Sequence, residues 1–165
     1  MAGAIARCLE DDHRRLETLL KQASDHGEQI EPAAYSQFRA GLLRHISMEE
    51  KILLPAARTA NGGKPLPRVE RLHLDHGALA ALLVPTPTRV IVEAIRAILD
   101  RHNVIEEGPN GVYEECERLP GFDTDAILKR LQSAPPVAMA PHADSPIAFQ
   151  SMRAALNRAG YLFDG

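Results

Sequence analysis

Apolar residues recur at intervals of three and four along most of the chain, which is the pattern of one buried face of an α-helix. The first such block runs from Gly3 to Ser24 and the second from Pro32 to Asn61. A third runs from Pro67 to Pro85, and a fourth follows the N-cap residue Thr88. Sustained strand-like alternation is lacking. The pattern therefore predicts an all-α protein, an antiparallel up-down four-helix bundle.

The remainder of the chain carries weaker helical patterns, at residues 112–119, 124–131 and about 147–162. A stretch rich in proline and alanine, residues 133–146, indicates a linker. We therefore divide the chain into a bundle of residues 1–132 and a C-terminal segment of residues 133–165. We expect the helix of that segment to pack on the bundle or on a second subunit. Pro55 is expected to end or kink the second helix, because its ring clashes with the Lys51 carbonyl.

Composition narrows the possible partners. The chain has 165 residues, of which 45% are hydrophobic, and a formal net charge of -3, so a basic nucleic-acid surface is not expected. No apolar run approaches the roughly 18 residues of a membrane span, and the N-terminus does not resemble a signal peptide. These features predict a cytoplasmic protein with no membrane partner. Cys8 and Cys116 have no C-x-x-C spacing and are expected to be buried free thiols.

Histidine is the residue type that changes this ordinary picture. Five of the seven histidines fall on the apolar helix stripes: His13, His45, His73, His76 and His102. Glu49 and Glu106 each follow one of them by four residues, which puts them on the same helix face. Burying so many polar groups without partners would cost several kcal/mol each. A metal cation would satisfy them together, because imidazole nitrogens and carboxylate oxygens are metal ligands.

Other chemistry finds little support in the sequence. No G-x-S-x-G, P-loop or G-x-G-x-x-G motif is present. His26 and His142 lie between the helical blocks and are expected at the surface.

Four segments together resemble the hemerythrin family, in its bacterial HHE cation-binding form: DDHRRLETLL, LLRHISMEEKILLP, RLHLDHGALAALL and ILDRHNVIEEGPNGVYEECERL. The resemblance covers about residues 5–120. It implies a four-helix bundle around a non-heme di-iron centre. In that family the two irons are bridged by two carboxylates and by an oxo or hydroxo group.

Matching positions imply a role for each candidate ligand. Glu49 and Glu106 correspond to the bridging carboxylates. His13 and His45 correspond to ligands of one iron, and His76 and His102, with His73, to ligands of the other. Two departures leave alternatives open. His73 and His76 are three residues apart, whereas oxygen-carrying hemerythrins have two histidines four apart in the third helix. Glu107 can also replace Glu106, because family members place this carboxylate four or five residues after the histidine.

Three residues are candidates to accept or make hydrogen bonds around the imidazole rings: Asp12, Asp75 and Tyr113. We expect Asp12 and Asp75 to be solvated instead.

Three functions are compatible with these residues. The first is a module that reversibly binds oxygen or senses oxygen, nitric oxide or redox state, which fits a complete seven-residue ligand set with one open iron position. The second is an iron-handling protein or an enzyme that reacts with peroxide or nitric oxide, which a non-coordinating His73 would favour. The third is a regulatory bundle with zinc or a single iron. Monomer and homodimer are both compatible with the sequence.

Overall fold

The computed structural model describes residues 2–165, and this part of the chain is helical with no β-strand. The helices are α1 (Ala4–Ser24), α2 (Pro32–Met48), α3 (Leu54–Ala60), α4 (Val69–Leu82), α5 (Arg89–Glu106), α6 (Val112–Arg118), α7 (Thr124–Gln132) and α8 (Pro146–Arg158). The all-α prediction is confirmed. Each of the four long helices begins within two residues of its predicted start, and the Thr88 hydroxyl caps α5 by accepting a hydrogen bond from the backbone N–H of Ile91.

The apolar core consists of two clusters, one towards each end of the bundle. The first cluster includes Leu20, Phe38, Leu79 and Ile95. The second cluster includes Ile5, Leu9, Met48, Leu53 and Leu72. Helices α1 and α4 begin in the second cluster and end in the first, whereas α2 and α5 begin in the first. The four long helices therefore run up, down, up and down, and every one of them crosses the layer between the clusters.

Pro55 does not end the second helix. A π-helical segment, Glu49–Leu53, joins α2 to α3, and the Leu54 N–H bonds the Glu49 carbonyl five residues back. This wider turn changes the backbone hydrogen-bond register just before the proline, which lacks an N–H of its own. Helical backbone consequently continues to Ala60, and Glu49 lies where the two helix types meet.

The C-terminal segment packs on the bundle of its own chain. Residues 134–144 have no regular secondary structure, but the Ala143 N–H bonds the Val84 carbonyl at 3.0 Å. Helix α8 then buries Met152 and Leu156 in the first cluster. This helix begins at Pro146 and ends at Arg158, four residues before the predicted end.

Candidate metal centre

Six of the seven residues predicted as metal ligands meet in the layer between the two clusters. They are His13, His45, Glu49, His76, His102 and Glu106, and none is more than 5% exposed. Each of the four histidines lies between an apolar residue of one cluster and an apolar residue of the other along the chain. Glu49 and Glu106 follow His45 and His102 by four residues, which brings all six side chains to one level. A buried layer of four imidazoles and two carboxylates interrupts an otherwise apolar core.

The six side chains form two groups of four that share their carboxylates. The first group contains His13 and His45, the second contains His76 and His102, and both contain Glu49 and Glu106. Within each group, one ligand atom per residue lies within 4.8 Å of all the others. Each carboxylate therefore presents one oxygen to each group, so Glu49 and Glu106 could serve a cation in either group.

The imidazole nitrogens set the scale of each group. His13 Nε2 lies 2.9 Å from His45 Nε2, and His76 Nε2 lies 3.1 Å from His102 Nε2. Ligand atoms at about 2.1 Å from one ion and at right angles to each other would be about 3.0 Å apart. Both histidine pairs match that separation. Two nitrogens facing each other at this distance can share at most one proton, so the pairing favours a cation over two protonated rings.

The carboxylate oxygens complete the two groups. Glu49 Oε2 lies 2.9 Å from His76 Nε2, and Glu106 Oε1 lies 2.6 Å from His102 Nε2. Neither contact has hydrogen-bond geometry, so these two buried oxygens have no hydrogen-bond partner within residues 2–165. An unpartnered buried carboxylate oxygen is costly. The residues present thus fit a bound metal pair, which would occupy the points where these lone pairs converge.

A second layer of four carboxylates holds the outer nitrogens of the imidazole rings. Each Nδ1 faces one carboxylate: Glu107 at 2.5 Å from His13, Asp12 at 2.8 Å from His45, Glu50 at 2.6 Å from His76 and Asp75 at 3.2 Å from His102. An Nδ1–H that donates to a carboxylate leaves the lone pair on Nε2, which faces the centre. All four rings are thereby held in the form that binds metal.

Comparison with known proteins agrees with this arrangement. The model of the hemerythrin HHE cation binding domain matches residues 4–109. This chain belongs to the hemerythrin family. Neither the curated proteins nor the solved structures compared with it give a match. The hemerythrin match covers all six residues of the buried layer, whereas α6, α7 and α8 lie beyond it.

The two halves of this hemerythrin domain repeat one arrangement. Asp12-His13 precedes His45-x-x-x-Glu49-Glu50 in the first half, and Asp75-His76 precedes His102-x-x-x-Glu106-Glu107 in the second. Each aspartate faces the histidine of the next long helix, and the second glutamate of each pair faces the first histidine of the other half. The expectation that Asp12 and Asp75 are solvated is therefore wrong. The doubled Asp-His and Glu-Glu pairs were the sequence signal for this layer.

His73 lies outside both ligand groups. Its side chain is 50% exposed, and its Nδ1 lies 2.7 Å from Glu50 Oε1, the oxygen that also faces His76. Three residues correspond to about 300° around a helix, so His73 lies about 60° away from His76. That rotation carries His73 to the rim of the bundle. Glu107 also stays out of the groups, because it faces His13 Nδ1 and Arg14.

Tyr113 of α6 distinguishes the two ligand groups. Its buried hydroxyl lies 2.5 Å from Glu49 Oε1 and 2.8 Å from Glu106 Oε2, and 3.1 Å and 3.4 Å from the Nε2 atoms of His13 and His45. These are four ligand atoms of the first group. No phenol holds the corresponding place in the second group within residues 2–165. The first site is therefore closed by a tyrosine and the second is not.

The electrostatics of the layer follow from its burial and its opposite charges. Burial lowers the pKa of His45, but Glu49 and Asp12 outweigh it and raise that pKa to about 10. Burial also lowers the pKa of His102, but the carboxylates of Glu106 and Asp75 outweigh it and raise that pKa to about 9. Burial and Glu106 act to raise the pKa of Glu49, yet the neighbouring histidines lower it to about 2. The carboxylates stay ionised, and positive charge is strongly favoured beside them.

A cavity of about 430 Å³ leads from the surface to the centre between α1 and α5. Charged residues including Arg14, Lys21 and Asp100 line its outer part, and all four buried histidines line its inner part. Its apolar walls include Leu20 and Leu99. The volume falls within the range of small-molecule sites. Small molecules can therefore approach both ligand groups through this cavity, whose lining does not include the closing tyrosine.

The remaining predictions fall outside the layer. His26 and His142 are exposed, as predicted. Both cysteines are free thiols, but Cys8 is only half-buried while Cys116 is buried. None of the helices within residues 2–165 has the length and apolar character needed to cross a membrane.

Proposed function

We propose that this hemerythrin-family protein holds two non-heme iron ions and that its centre binds a diatomic molecule, oxygen or nitric oxide. The observation that carries the proposal is the pair of four-residue groups that share the carboxylates of Glu49 and Glu106. Two neighbouring cations would repel each other, and the negative charge of Glu49 and Glu106 would offset that repulsion. Four protein ligands for each ion would also leave positions free for a small molecule.

Charge supports iron over a metal of fixed oxidation state. Two divalent ions carry +4, Glu49 and Glu106 together carry -2, and neutral imidazoles add nothing. Four further carboxylates face the outer nitrogens of the imidazole rings. Negative charge in that layer stabilises additional positive charge at the centre. Iron bound here would supply electrons to an incoming ligand, and this layer favours the oxidised state that results.

The residues of the chain perform the other parts of this function. The second-layer carboxylates orient the imidazoles, so that Nε2 is the coordinating atom. The cavity between α1 and α5 admits a small ligand, and its leucine walls limit water near the centre. Glu49 and Glu106 would bind both ions, since each belongs to both groups. The expected oxo or hydroxo bridge comes from the family resemblance alone.

A second candidate function is favoured because His73 lies outside both ligand groups. We infer that a centre with two histidines on each ion, rather than five in all, has more open positions than an oxygen carrier needs. Such a centre suits a peroxide-reactive or nitric-oxide-reactive enzyme, or a protein that donates iron. The cavity volume, larger than a diatomic molecule requires, agrees with this candidate.

One experiment separates these candidates. Protein loaded anaerobically with ferrous iron is exposed to oxygen or nitric oxide, and its visible spectrum is followed during addition and removal of the gas. Reversible binding predicts a spectrum that returns when the gas is removed. Reaction predicts an irreversible change with loss of added peroxide or nitric oxide. No spectral change with either gas would contradict both candidates and would leave a structural metal, such as zinc or a single iron.

Two free thiols support a reducing compartment, and we place the protein in the cytoplasm. We propose that it acts without nucleic acid or membrane, as a monomer or a homodimer.

A further inference from the structure

The segment that follows α8 reaches back to the second ligand group. Gly160, with a φ of +82°, ends the helix, and the chain then turns so that Tyr161 lies against α4. The Tyr161 hydroxyl donates to Asp75 Oδ1 at 2.7 Å. The other oxygen of Asp75 lies 3.2 Å from His102 Nδ1. A chain of contacts therefore links the C-terminal segment to a residue of the buried layer.

Asp75 is held firmly by this segment. Its carboxylate is 1% exposed, and Arg71 Nη2 also donates to Oδ1 at 2.6 Å. The same Arg71 nitrogen donates to the Ala159 carbonyl at 2.6 Å. The guanidinium groups of Arg71 and Arg101 lie 5.6 Å and 5.5 Å from the centre of the Tyr161 ring. Both donors to this carboxylate oxygen therefore depend on the C-terminal segment: Tyr161 belongs to it, and Arg71 is bound to its Ala159 carbonyl.

The first ligand group has no such connection. Asp12, which faces His45 in the corresponding place, receives its second donor from Arg15 of its own helix. Its side chain is 14% exposed, against 1% for Asp75. The two halves of the centre therefore differ in how their aspartates are fixed. Each aspartate binds an arginine of its own helix, and Asp75 also accepts a hydrogen bond from Tyr161, which lies outside the hemerythrin match.

We propose that Tyr161 is a positioning residue that acts through Asp75 on His102, so that the C-terminal segment sets the metal affinity of the second site. This inference rests on the proposed metal centre. The Tyr161 hydroxyl fixes one carboxylate oxygen of Asp75, which leaves the other oriented towards the His102 ring. Residues in this outer layer typically change metal affinity by about 10–100-fold. Because Tyr161 acts one contact further out, we expect about tenfold weaker binding at one site only.

The first test uses the metal-free full-length protein. Histidine ring nitrogens are observed by NMR in the wild type, in Tyr161→Phe and in Tyr35→Phe. Tyr35 is a matched control, since its buried hydroxyl has no hydrogen-bond partner within residues 2–165. We expect Tyr161→Phe to shift the ring signals of His102 and to leave those of His45 unchanged, while Tyr35→Phe moves neither. Unchanged His102 signals in Tyr161→Phe would overturn the inference.

A second test measures the two affinities separately by titration with cobalt(II). The wild type is expected to bind two ions, and Tyr161→Phe to weaken one of them about tenfold, with Tyr35→Phe unchanged. If Tyr161→Phe binds both ions as tightly as the wild type does, the inference is overturned and the proposed function is left intact. A wild type that binds fewer than two ions would contradict the proposed function instead, and the NMR result on metal-free protein would still decide the coupling between Tyr161 and His102.

Discussion

Glu49 and Glu106 are the residues on which the two ligand groups depend. Each belongs to both groups and each is at most 1% exposed. Their position follows from two features of the chain: a four-residue spacing from a buried histidine, and a change in the backbone immediately afterwards. Glu49 is the first residue of the π-helical segment, and α5 ends at Glu106. Functional residues are often found at such irregular points in a helix.

Substitution of the two histidines of α4 tests which one binds metal. We expect His76→Ala to lose at least one of two ions, because His76 Nε2 lies within a ligand group. His73→Ala is the matched control and is expected to keep both, since His73 bonds Glu50 and belongs to neither ligand group. Metal per chain is measured by elemental analysis after anaerobic loading with ferrous iron. Loss of an ion in His73→Ala would return His73 to the ligand set.

Tyr113→Phe tests whether the two sites differ. The hydroxyl contacts ligand atoms of the first group only, so its removal is expected to weaken one ion about tenfold and to leave the other unchanged. Stepwise titration with cobalt(II) gives both affinities, and Tyr35→Phe controls for loss of a buried hydroxyl. Equal weakening of both ions, or none, would contradict the assignment of Tyr113 to the first site.

Helical periodicity was sufficient to predict that the six candidate ligands are buried, because a residue three or four positions from a core leucine faces the core in any regular helix. The same argument failed for His73. Its spacing of three from His76 allowed either a buried or an exposed side chain, and the side chain is exposed. It also failed to predict that Asp12 and Asp75 face imidazole nitrogens rather than solvent. An acidic residue next to a histidine points about 100° away from it, and only the packing of the neighbouring helix decides whether that direction is solvent or another imidazole.

At the scale of the helices, the important feature is the cleft between α1 and α5. These two helices are not consecutive in the chain, and charged residues meet along their outer edges while leucines lie beneath. The centre is therefore reached through a gap between elements rather than through a loop. Periodicity assigns each helix a buried face, but it cannot indicate where two helices leave room between them.

Narrowing the cleft is expected to slow ligand entry. Leu99 is half-buried and lines the cavity, so Leu99→Phe should reduce the rate of oxygen or nitric oxide binding several-fold without changing metal content. Leu19→Phe is the control, because Leu19 is also half-buried but does not line the cavity. Rates are measured by stopped-flow mixing of the reduced protein with the gas. An unchanged rate in Leu99→Phe would indicate a different route to the centre.

For the whole molecule, the buried layer of imidazoles and carboxylates makes the stability of the metal-free protein depend on pH. The folded-state pKa values of His45 and His102 are raised to about 10 and about 9, from the usual 6.5. The folded state thus binds more protons than the unfolded state between these values, and the free energy of unfolding falls as pH rises through them. At the acid end, Glu49 and Asp12, both lowered to about 2, lose their contribution as pH falls below about 4.

We therefore expect the metal-free protein to be most stable between about pH 4.5 and 6.5. Urea unfolding with a chelator present, at pH 6, 8 and 10, measures the alkaline decline. In His45→Asn the free energy of unfolding should fall less between pH 6 and 10, because one of the two histidines with a raised pKa is gone. Constant or rising stability from pH 6 to 10 in the wild type would show that the imidazoles are not charged in the metal-free fold.

The four-helix architecture was predictable from the sequence because each long helix has its own apolar stripe and its own boundary residues. The course of the C-terminal segment was not. Residues 133–146 carry no periodic pattern, and their place is decided by contacts far along the chain, such as that between Ala143 and Val84. The contact between Tyr161 and Asp75 joins residues 86 positions apart, and no local pattern encodes it.

The central claim is that one chain holds two iron ions, and metal content tests it most directly. Protein purified from iron-replete cells, and the same protein after anaerobic loading with ferrous iron, is measured by elemental analysis per mole of chain. We predict close to two irons per chain. One metal per chain, zinc in place of iron, or no bound metal would contradict the di-iron centre.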